Sequence, residues 1–346
     1  MPIRRLYLEL TDQCNLNCAI CYRRSWSGSS GDMKEETFRN LLENIYELHE
    51  LKEVVLGGIG EPTVSEHFCR AVKALSRYDL TITTNGIIDE QGKIELMAHN
   101  ASRIVFSVDG LEDRFYKIRG ASLERVCSVI RQIRESKGRP GSTKPEVYIQ
   151  FVLSADNRED LPEVVDLAAA LHIKTLIVSN LIPTTQEDKD KILYSRYKDD
   201  GIKKYMDSIC RKSLRKGVQV LLPNWELKTE RRCSFVESDS IYVCASGEVS
   251  PCHRLSHRYD EYVFGRRKKV QPYSFGSINE NSLQELWNSK AYTGFRDMVL
   301  CSRYPSCIDC DLSDGCDFVR SSEMDCNGNA PACADCLWSR RIAICI

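Results

Sequence analysis

Three cysteines stand close together near the start of the chain. Cys14, Cys18 and Cys21 follow the spacing C-x3-C-x2-C, and the aromatic Tyr22 comes directly after them. Thiolates are ligands for soft metal ions and for iron–sulfur clusters. Three thiolates on one loop can hold three irons of a cubane cluster, which leaves the fourth iron open to a chelating molecule. The alternatives to this interpretation are a zinc site completed by a distant fourth ligand and three unrelated cysteines.

A second group of cysteines lies in the last third of the chain. Cys233 and Cys252 enclose Gly247 with the spacing C-x13-G-x4-C, and the spacing C-x2-C-x5-C follows further on. Two fully ligated four-iron clusters need eight thiolates. Nine candidates remain once Cys244 and Cys301, which fall outside the spacing, are set aside, and a structural zinc site is the alternative. The nine candidate ligands are Cys233, Cys252, Cys307, Cys310, Cys316, Cys326, Cys333, Cys336 and Cys345.

The composition is that of an ordinary globular chain apart from its 17 cysteines. The 346 residues carry a formal net charge of -1, and 42% of them are hydrophobic, which is enough for a sizeable core. The near-neutral charge offers no field that would attract nucleic acid or an anionic membrane. The first residues lack the apolar stretch of a secretory signal, so a disulfide scaffold fits poorly. We therefore expect a soluble, cytoplasmic protein with metal-binding thiols and no nucleic-acid or membrane partner.

Six apolar runs alternate with amphipathic helical patterns up to about residue 180. A repeated strand–helix unit predicts parallel strands joined by helical crossovers. Six units are too few for a closed eight-stranded barrel, so we expect an α/β fold with a partial (β/α)6 TIM-like barrel. A doubly wound flat sheet is the competing layout. The predicted strands cover residues 6–10, 54–57, 80–84, 104–108, 147–153 and 175–178.

The sequence pattern divides the chain into three parts. Residues 1–195 carry the strand–helix alternation, and residues 196–225 have the pattern of a bridging helical segment. In residues 226–346 the periodicity fades, and cysteines, glycines and short turns take over. We therefore expect a barrel domain followed by a smaller cysteine-rich domain.

Glycines and polar residues follow the predicted strands. After the second strand comes Gly57-Gly58-Ile59-Gly60-Glu61-Pro62, in which glycines let a ligand approach the backbone closely. Polar side chains at the carboxyl ends of parallel strands line the ligand site of barrel folds, although Asn-Gly and Asp-Gly pairs are also common turns. The candidate binding residues at these strand ends are Gly58, Gly60, Glu61, Thr84, Asn85, Ser107, Asp109, Gln150 and Asn180.

The order of these motifs resembles that of the radical S-adenosylmethionine (SAM) superfamily with a C-terminal SPASM domain. The resemblance implies a [4Fe–4S] cluster on Cys14, Cys18 and Cys21, whose open iron is chelated by SAM and whose electron cleaves SAM to a 5′-deoxyadenosyl radical. It implies that Gly58, Gly60 and Glu61 help to seat the SAM amine. The other strand-end residues would face SAM or the substrate, and the cysteine-rich tail would hold one or two auxiliary [4Fe–4S] clusters.

The tail departs from the usual SPASM pattern at one position. Arg320 stands where a C-x3-C step from Cys316 would place a cysteine, and the next cysteine is Cys326. The ending from residue 326 to residue 345 is similar to that of the maturases that accompany tungsten-cofactor oxidoreductases of the aldehyde:ferredoxin oxidoreductase type. This resemblance implies a protein or peptide substrate, such as a tungsten oxidoreductase, its cofactor or an associated peptide. It also implies a ferredoxin or flavodoxin-type electron donor.

Other functions are compatible with the same motifs. A SPASM enzyme can form a thioether or carbon–carbon crosslink in a ribosomal peptide, or generate formylglycine in a sulfatase. A non-enzymatic iron–sulfur electron carrier would not need glycines and polar residues arranged for a nucleoside. A zinc-binding interaction protein would contain zinc and no iron.

Overall fold

One nine-stranded sheet forms the centre of the protein. The computed structural model describes residues 1–26, 28, 31–136 and 144–344. The spatial order of the strands is β7-β6-β5-β4-β3-β2-β1-β8-β9, and every neighbouring pair is parallel except β8 and β9. The strands are β1 Arg5–Leu8, β2 Glu53–Leu56, β3 Asp79–Thr84, β4 Arg103–Ser107, β5 Glu146–Leu153, β6 Thr175–Asn180, β7 Gln219–Leu221, β8 Ser240–Val243 and β9 Val249–Ser250.

Helices connect the parallel strands, and a separate antiparallel hairpin lies near the C-terminus. The hairpin pairs β10, Tyr259–Val263, with β11, Arg266–Val270. No helix in the described part of the chain is long and apolar enough to cross a membrane. The helices are α1 Glu35–Glu47, α2 Phe68–Leu75, α3 Gln91–Asn100, α4 Glu112–Arg119, α5 Leu123–Glu135, α6 Leu161–Ala170, α7 Asp200–Lys216, α8 Ser234–Glu237, α9 Leu283–Asn288 and α10 Lys290–Leu300.

The strand order confirms the partial barrel. The six predicted strands correspond to β1–β6, with ends that differ by at most two residues. Strands β1 to β7 neighbour one another in chain order, so the crossovers all move in one direction across the sheet. Crossovers of one hand then place the helices on one face of the sheet. A doubly wound sheet needs a point where the strand order reverses, and the run from β1 to β7 has none.

Burial explains why these segments form strands and helices. Val54, Val55 and Leu56 of β2 are all buried, as expected for a parallel strand covered on both faces. On α1, Phe38 and Leu41 are buried on the helix face that packs against the sheet, and exposed charged residues occupy the other face. The side chains of one core therefore hold the helices against the strands.

The cysteine-rich segment contributes to the barrel sheet. Strand β8 pairs in parallel with β1 along four residues, with Tyr7 opposite Tyr242. Residues from this segment, such as Ile241 and Trp287, belong to the same buried core as the strands β1–β6. Sequence periodicity predicted a boundary at residue 226 but not this strand pairing. Between the two parts, the segment 196–225 contains α7 and the short edge strand β7.

Truncation after residue 225 tests how far the barrel depends on this pairing. The truncated chain loses β8 and β9, which exposes the backbone edge of β1 beside the buried side chains of Leu6 and Leu8. Because an unpaired apolar edge strand promotes association, we expect aggregation instead of folding. Size-exclusion chromatography and thermal unfolding, with the full chain as the control, measure this. A soluble truncated monomer with a cooperative transition near that of the full chain would contradict the expectation.

Candidate functional site

A cavity of about 320 Å³ opens at the carboxyl ends of the parallel strands. Ligand sites of comparable size are common at this end of barrel folds. The three clustered cysteines and eight of the nine predicted strand-end residues line it. Those eight are Gly58, Gly60, Glu61, Thr84, Asn85, Ser107, Gln150 and Asn180.

The loop after β1 brings the three predicted cysteines together at this cavity. Cys14, Cys18 and Cys21 all line it, and each lies within electrostatic range of the other two. The Cys21 N–H donates to the Cys18 carbonyl at 3.2 Å, which gives this part of the loop a tight turn. Burial raises the pKa of Cys14, and it raises the pKa of Cys18 to about 11. A positively charged metal centre would favour the thiolate forms that ligation requires.

Two side chains donate hydrogen bonds to these sulfur atoms. The Asn85 amide nitrogen lies 3.6 Å from the Cys14 sulfur, and an Arg119 guanidinium nitrogen lies 3.9 Å from the Cys18 sulfur. The Asn85 backbone N–H donates to the Glu61 carboxylate at 2.7 Å, so hydrogen bonds fix both the backbone and the side chain of Asn85. Hydrogen bonds to ligand sulfurs are one of the factors that set the potential of an iron–sulfur cluster. Arg119 was not among the predicted site residues.

Asp109 is the predicted binding residue that does not reach the cavity. Its side chain has no exposed surface and is absent from the cavity lining. One carboxylate oxygen accepts from the Val152 N–H at 2.7 Å, and the other accepts from Arg119 Nε at 2.6 Å. The Asp-Gly pair therefore marks a residue that positions Arg119, and the expectation that Asp109 contacts SAM or substrate is corrected.

The carboxylate of Glu61 organises the neighbouring strand ends. It is 3% exposed and accepts from the Thr63 hydroxyl and the Thr84 hydroxyl, both at 2.8 Å. The backbone N–H groups of Thr63 and Asn85 also donate to it. Burial raises the pKa of Glu61, and these donors oppose that effect by stabilising the charged form. Because its oxygens already accept these hydrogen bonds, Glu61 shapes the site through its neighbours.

The glycine-rich loop after β2 leaves no space for a side chain at Gly58 or Gly60. A Cβ atom on Gly60 would lie 2.2 Å from the Thr11 carbonyl oxygen and 2.6 Å from that of Gln13. Gly58 has a φ of +111°, and a Cβ there would lie 2.8 Å from the Glu9 side chain. This loop therefore packs directly against the loop after β1, and both line the cavity.

Asn180 presents an unpaired acceptor in the cavity wall. Its amide nitrogen donates at 3.0 Å to the carbonyl oxygens of Asn224 and Ile342. Its carbonyl oxygen is buried and has no hydrogen-bond partner among the described residues. A buried acceptor without a partner is costly, and a bound ligand with an N–H or O–H group would satisfy it.

The C-terminal part of the chain closes the cavity with aromatic and basic side chains. Arg254 is 2% exposed and pairs with the buried Glu261 at 2.6 Å. Enclosure within the protein lowers the pKa of His253 to about 4, with a smaller effect from the Arg254 charge, so the His253 ring is neutral at pH 7. These wall residues were not predicted, because they share no motif in the sequence. The lining residues contributed by this part are Tyr242, His253, Arg254, Tyr259, Trp338, Ala343 and Ile344.

Eight tail cysteines fall into two groups of four in the structure. In the first group, the Cys333 thiol lies within electrostatic range of Cys233, Cys252 and Cys336. Burial and these neighbouring sulfurs raise the pKa of Cys333 well above its ordinary value.

The second group is built around Cys307. This thiol lies within electrostatic range of Cys310 and Cys326, and Cys316 packs against the same small apolar cluster. Cys345, also predicted as a ligand, lies outside the described residues. Each group therefore contains one C-x2-C pair. The cysteine spacing did not show which other cysteines join each pair.

Comparison with known families identifies the barrel and the tail. The family profile of the radical SAM superfamily matches residues 8–192, which is more than half of the chain. The chain belongs to the radical SAM superfamily. The profile of SPASM, described as an iron-sulfur cluster-binding domain, matches residues 233–311. This radical SAM enzyme therefore binds a [4Fe–4S] cluster and SAM, and its SPASM domain binds auxiliary iron–sulfur clusters.

Relatives by sequence include one that matches along nearly the whole length. The enzyme is 38% identical over 356 aligned positions to the tungsten-containing aldehyde ferredoxin oxidoreductase cofactor-modifying protein of Pyrococcus furiosus, covering 99% of this chain and 97% of that protein. A probable GTP 3',8-cyclase of Methanocaldococcus jannaschii is 23% identical over 80% of this chain and 94% of that protein. The first match confirms the predicted family resemblance.

Solved structures share the fold of this radical SAM enzyme. Streptococcus suis SuiB bound to precursor peptide SuiA gives a TM-score of 0.65 at 17% identity, covering 92% of this chain and 71% of that chain. The protein anSMEcpe with bound AdoMet gives a TM-score of 0.64 at 18% identity, covering 96% and 92% of the two chains. These likenesses confirm the barrel with its C-terminal domain.

The residues around the cavity fit the groups that the family requires. Three thiols converge there, and the glycine loop has close backbone packing that a Cβ would disrupt. The carbonyl oxygen of Asn180 offers an acceptor to a nucleoside or amine. The site can therefore hold a cluster beside a bound nucleoside.

Substitution of Gly60 by alanine tests the packing of this loop. The new methyl group meets two carbonyl oxygens, so we expect the unfolding free energy to fall by about 2 kcal/mol. We also expect the affinity for SAM to fall by about tenfold or more, because the loop must move out of its position. Gly294→Ala is the matched control, because nothing lies within 4 Å of its Cβ position on α10. Denaturant unfolding and SAM titration measure both variants, and wild-type affinity in Gly60→Ala would contradict the assignment.

Proposed function

We propose that this radical SAM enzyme is a maturase that modifies a tungsten-containing oxidoreductase, its cofactor or an associated peptide. The observation that carries the proposal is one cavity with three converging thiols on the barrel side and an aromatic wall on the C-terminal side. The second support is the 38% identity over nearly the whole chain to the Pyrococcus furiosus cofactor-modifying protein.

Cys14, Cys18 and Cys21 would hold the cluster that binds SAM. When bound, the reduced cluster supplies the electron that cleaves SAM into methionine and a 5′-deoxyadenosyl radical, which removes a hydrogen atom from the substrate. Backbone carbonyls of Gly58 and Gly60 would seat the SAM amine, because both glycines line the cavity and their loop packs against the loop that follows β1.

Polar side chains further along the sheet would orient the rest of the nucleoside. Ser107, Gln150 and Asn180 line the cavity on β4, β5 and β6, so they reach it from successive strands. The free carbonyl oxygen of Asn180 accepts a hydrogen bond from an N–H or O–H donor. Thr84 acts indirectly, because its hydroxyl donates to Glu61.

The wall formed by the C-terminal part favours a ring-bearing substrate. Tyr259 and Trp338 offer aromatic surface to a flat molecule, and Tyr22 packs against both. Arg254 places a guanidinium group beside them, although Glu261 balances its charge. This chemistry suits an organic cofactor better than an unmodified aliphatic side chain, so the cofactor of the oxidoreductase is the favoured target.

The tail cysteines would hold two auxiliary clusters, one in each group of four. Cys233, Cys252, Cys333 and Cys336 would bind the first. The second cluster would lie closer to the surface, because two of its cysteines are exposed. Its ligands would be Cys307, Cys310, Cys316 and Cys326.

Paired substitutions test this grouping by iron content. Cys233→Ala with Cys333→Ala removes two ligands from one group, so we expect a loss of about four irons per chain. Cys233→Ala with Cys310→Ala removes one ligand from each group, so we expect both auxiliary clusters to be weakened and the loss to exceed that of the first double variant, reaching about eight irons when both clusters are lost. Cys301→Ala is the control, because this exposed cysteine belongs to neither group. The iron content of each anaerobically purified variant is measured. Equal iron loss in the two double variants would contradict the grouping.

Production of a tungsten oxidoreductase with and without this enzyme tests the proposed substrate. We expect the oxidoreductase to lose at least about tenfold in activity without the enzyme, and a mass difference in its cofactor or in an associated peptide. Cys18→Ala is the control that keeps the protein present but removes one proposed ligand of the SAM-binding cluster. Activity assays and mass spectrometry measure the outcome. An equally active oxidoreductase of unchanged mass would contradict maturation and would favour a separate peptide substrate.

A further inference from the structure

The carboxylate of Glu9 is a hydrogen-bonding centre directly after β1. It has no exposed surface. The Ile59 N–H donates to it at 3.1 Å and the Tyr242 hydroxyl at 2.9 Å. His257 Nε2 lies 2.9 and 3.0 Å from the two carboxylate oxygens, and the Ala245 N–H donates at 3.4 Å. Glu9 therefore receives donors from four residues.

These donors come from two separate parts of the chain. Ile59 belongs to the glycine loop after β2, whose backbone lines the cavity. Tyr242, Ala245 and His257 belong to the C-terminal segment that contains the auxiliary cysteines. Glu9 therefore connects the C-terminal segment to the glycine loop through its two carboxylate oxygens.

The packing around Glu9 leaves the glycine loop little freedom. Gly58 approaches Glu9 so closely that a Cβ would lie 2.8 Å from its Cγ and Oε2 atoms. On the other side, the ring of His257 packs edge-on against Trp26 with centroids 4.3 Å apart. Trp26 follows the short helix after Cys21, so the same contacts extend to the loop of the three cysteines.

A bound cation is a second interpretation of this cluster. The Cys244 sulfur, a His257 nitrogen and a Glu9 oxygen lie within 4.8 Å of one another and are buried. However, the Glu9 oxygens already accept from four residues, and Nε2 of His257 faces both of them. The Cys244 sulfur lies 3.5 Å from the Ser250 hydroxyl oxygen and has no hydrogen bond to Glu9 among the described contacts. The geometry is therefore that of a hydrogen-bonded network.

We propose that Glu9 is a positioning residue through which Tyr242 and His257 of the C-terminal segment hold the glycine loop in its SAM-binding position. The inference is based on the proposed role of Gly58 and Gly60 in seating the SAM amine. A carboxylate accepts hydrogen bonds at both oxygens, whereas an amide has one oxygen acceptor, so Glu9→Gln cannot satisfy the same four donors. The affinity for SAM thus depends on Glu9 and His257, which lie outside the cavity lining.

Three variants and one control test the proposal on protein with its clusters in place. Glu9→Gln, His257→Phe and Tyr242→Phe each weaken the network, and Tyr242→Phe removes only one hydroxyl group. Because each loses hydrogen bonds to a charged group, we expect the SAM dissociation constant to rise about three- to tenfold. For Glu9→Gln and His257→Phe, whose residues lie outside the cavity lining, turnover at saturating SAM should stay within about twofold, whereas Tyr242→Phe is compared by SAM affinity alone because Tyr242 lines the cavity. Cys244→Ala lies beside the network and makes no hydrogen bond to Glu9, so we expect unchanged SAM affinity.

Hydrogen–deuterium exchange provides a measurement that does not depend on SAM. Peptides that cover residues 57–61 should gain about one rapidly exchanging amide, that of Ile59, in Glu9→Gln and His257→Phe. The control Cys244→Ala should keep the wild-type exchange. If Glu9→Gln fails to fold, the results for Tyr242→Phe and His257→Phe test the proposal without it.

Three results would overturn the proposal. Unchanged exchange and affinity in folded variants would exclude the positioning role. Equal effects in Cys244→Ala would indicate general packing, and one additional non-iron metal ion per chain that is lost in Cys244→Ala would indicate a cation site. Failure of the wild-type protein to bind SAM would instead refute the proposed function, which distinguishes the two.

Discussion

Two buried carboxylates, those of Glu9 and Glu61, organise the mouth of the barrel. A desolvated carboxylate is stable only when hydrogen-bond donors surround it. Glu61 draws donors from two strand ends, and one of them, Asn85, also donates to the Cys14 sulfur. Glu9 draws donors from the glycine loop and from the C-terminal segment. Because these donors lie on different loops, satisfying two buried charges also fixes the loops that carry the thiols and the glycines. The chemistry of the cavity depends on this constraint.

The parts of the fold that sequence could predict are those with a local signal. Strands β1–β6 were predicted to within two residues because each is a short apolar run between turn residues. The three clustered cysteines were predicted because a spacing of a few residues on one loop keeps thiols together in almost any fold. Most of the strand-end residues were predicted because parallel strands bring their carboxyl ends to the same edge. Asp109 is an exception to that rule, because its carboxylate accepts a hydrogen bond from Arg119, and Arg119 lines the cavity in its place.

The features of the fold and the site that were not predicted depend on contacts between distant parts of the chain. Strand β8 is four residues long, and nothing in its sequence shows that it pairs with β1 more than 230 residues earlier. Cys233 groups with Cys333, and Cys307 groups with Cys326. Other cysteines lie between the two members of each pair in the sequence, so the cysteine spacing could not decide the grouping. The aromatic wall is built from residues of the C-terminal segment that have no shared motif. Arg254 enters the cavity only because the fold covers the barrel mouth with this segment.

The central claim is that three cysteines hold a cluster with one iron open to SAM. Electron–nuclear double resonance on the reduced, oxygen-free enzyme tests it most directly, with SAM labelled with ¹⁵N at the amine and ¹⁷O at the carboxylate. The account predicts that both labels couple to the cluster in the wild-type enzyme and that Cys18→Ala abolishes both couplings. A wild-type enzyme that contains a full cluster but shows neither coupling after saturation with SAM would contradict the account.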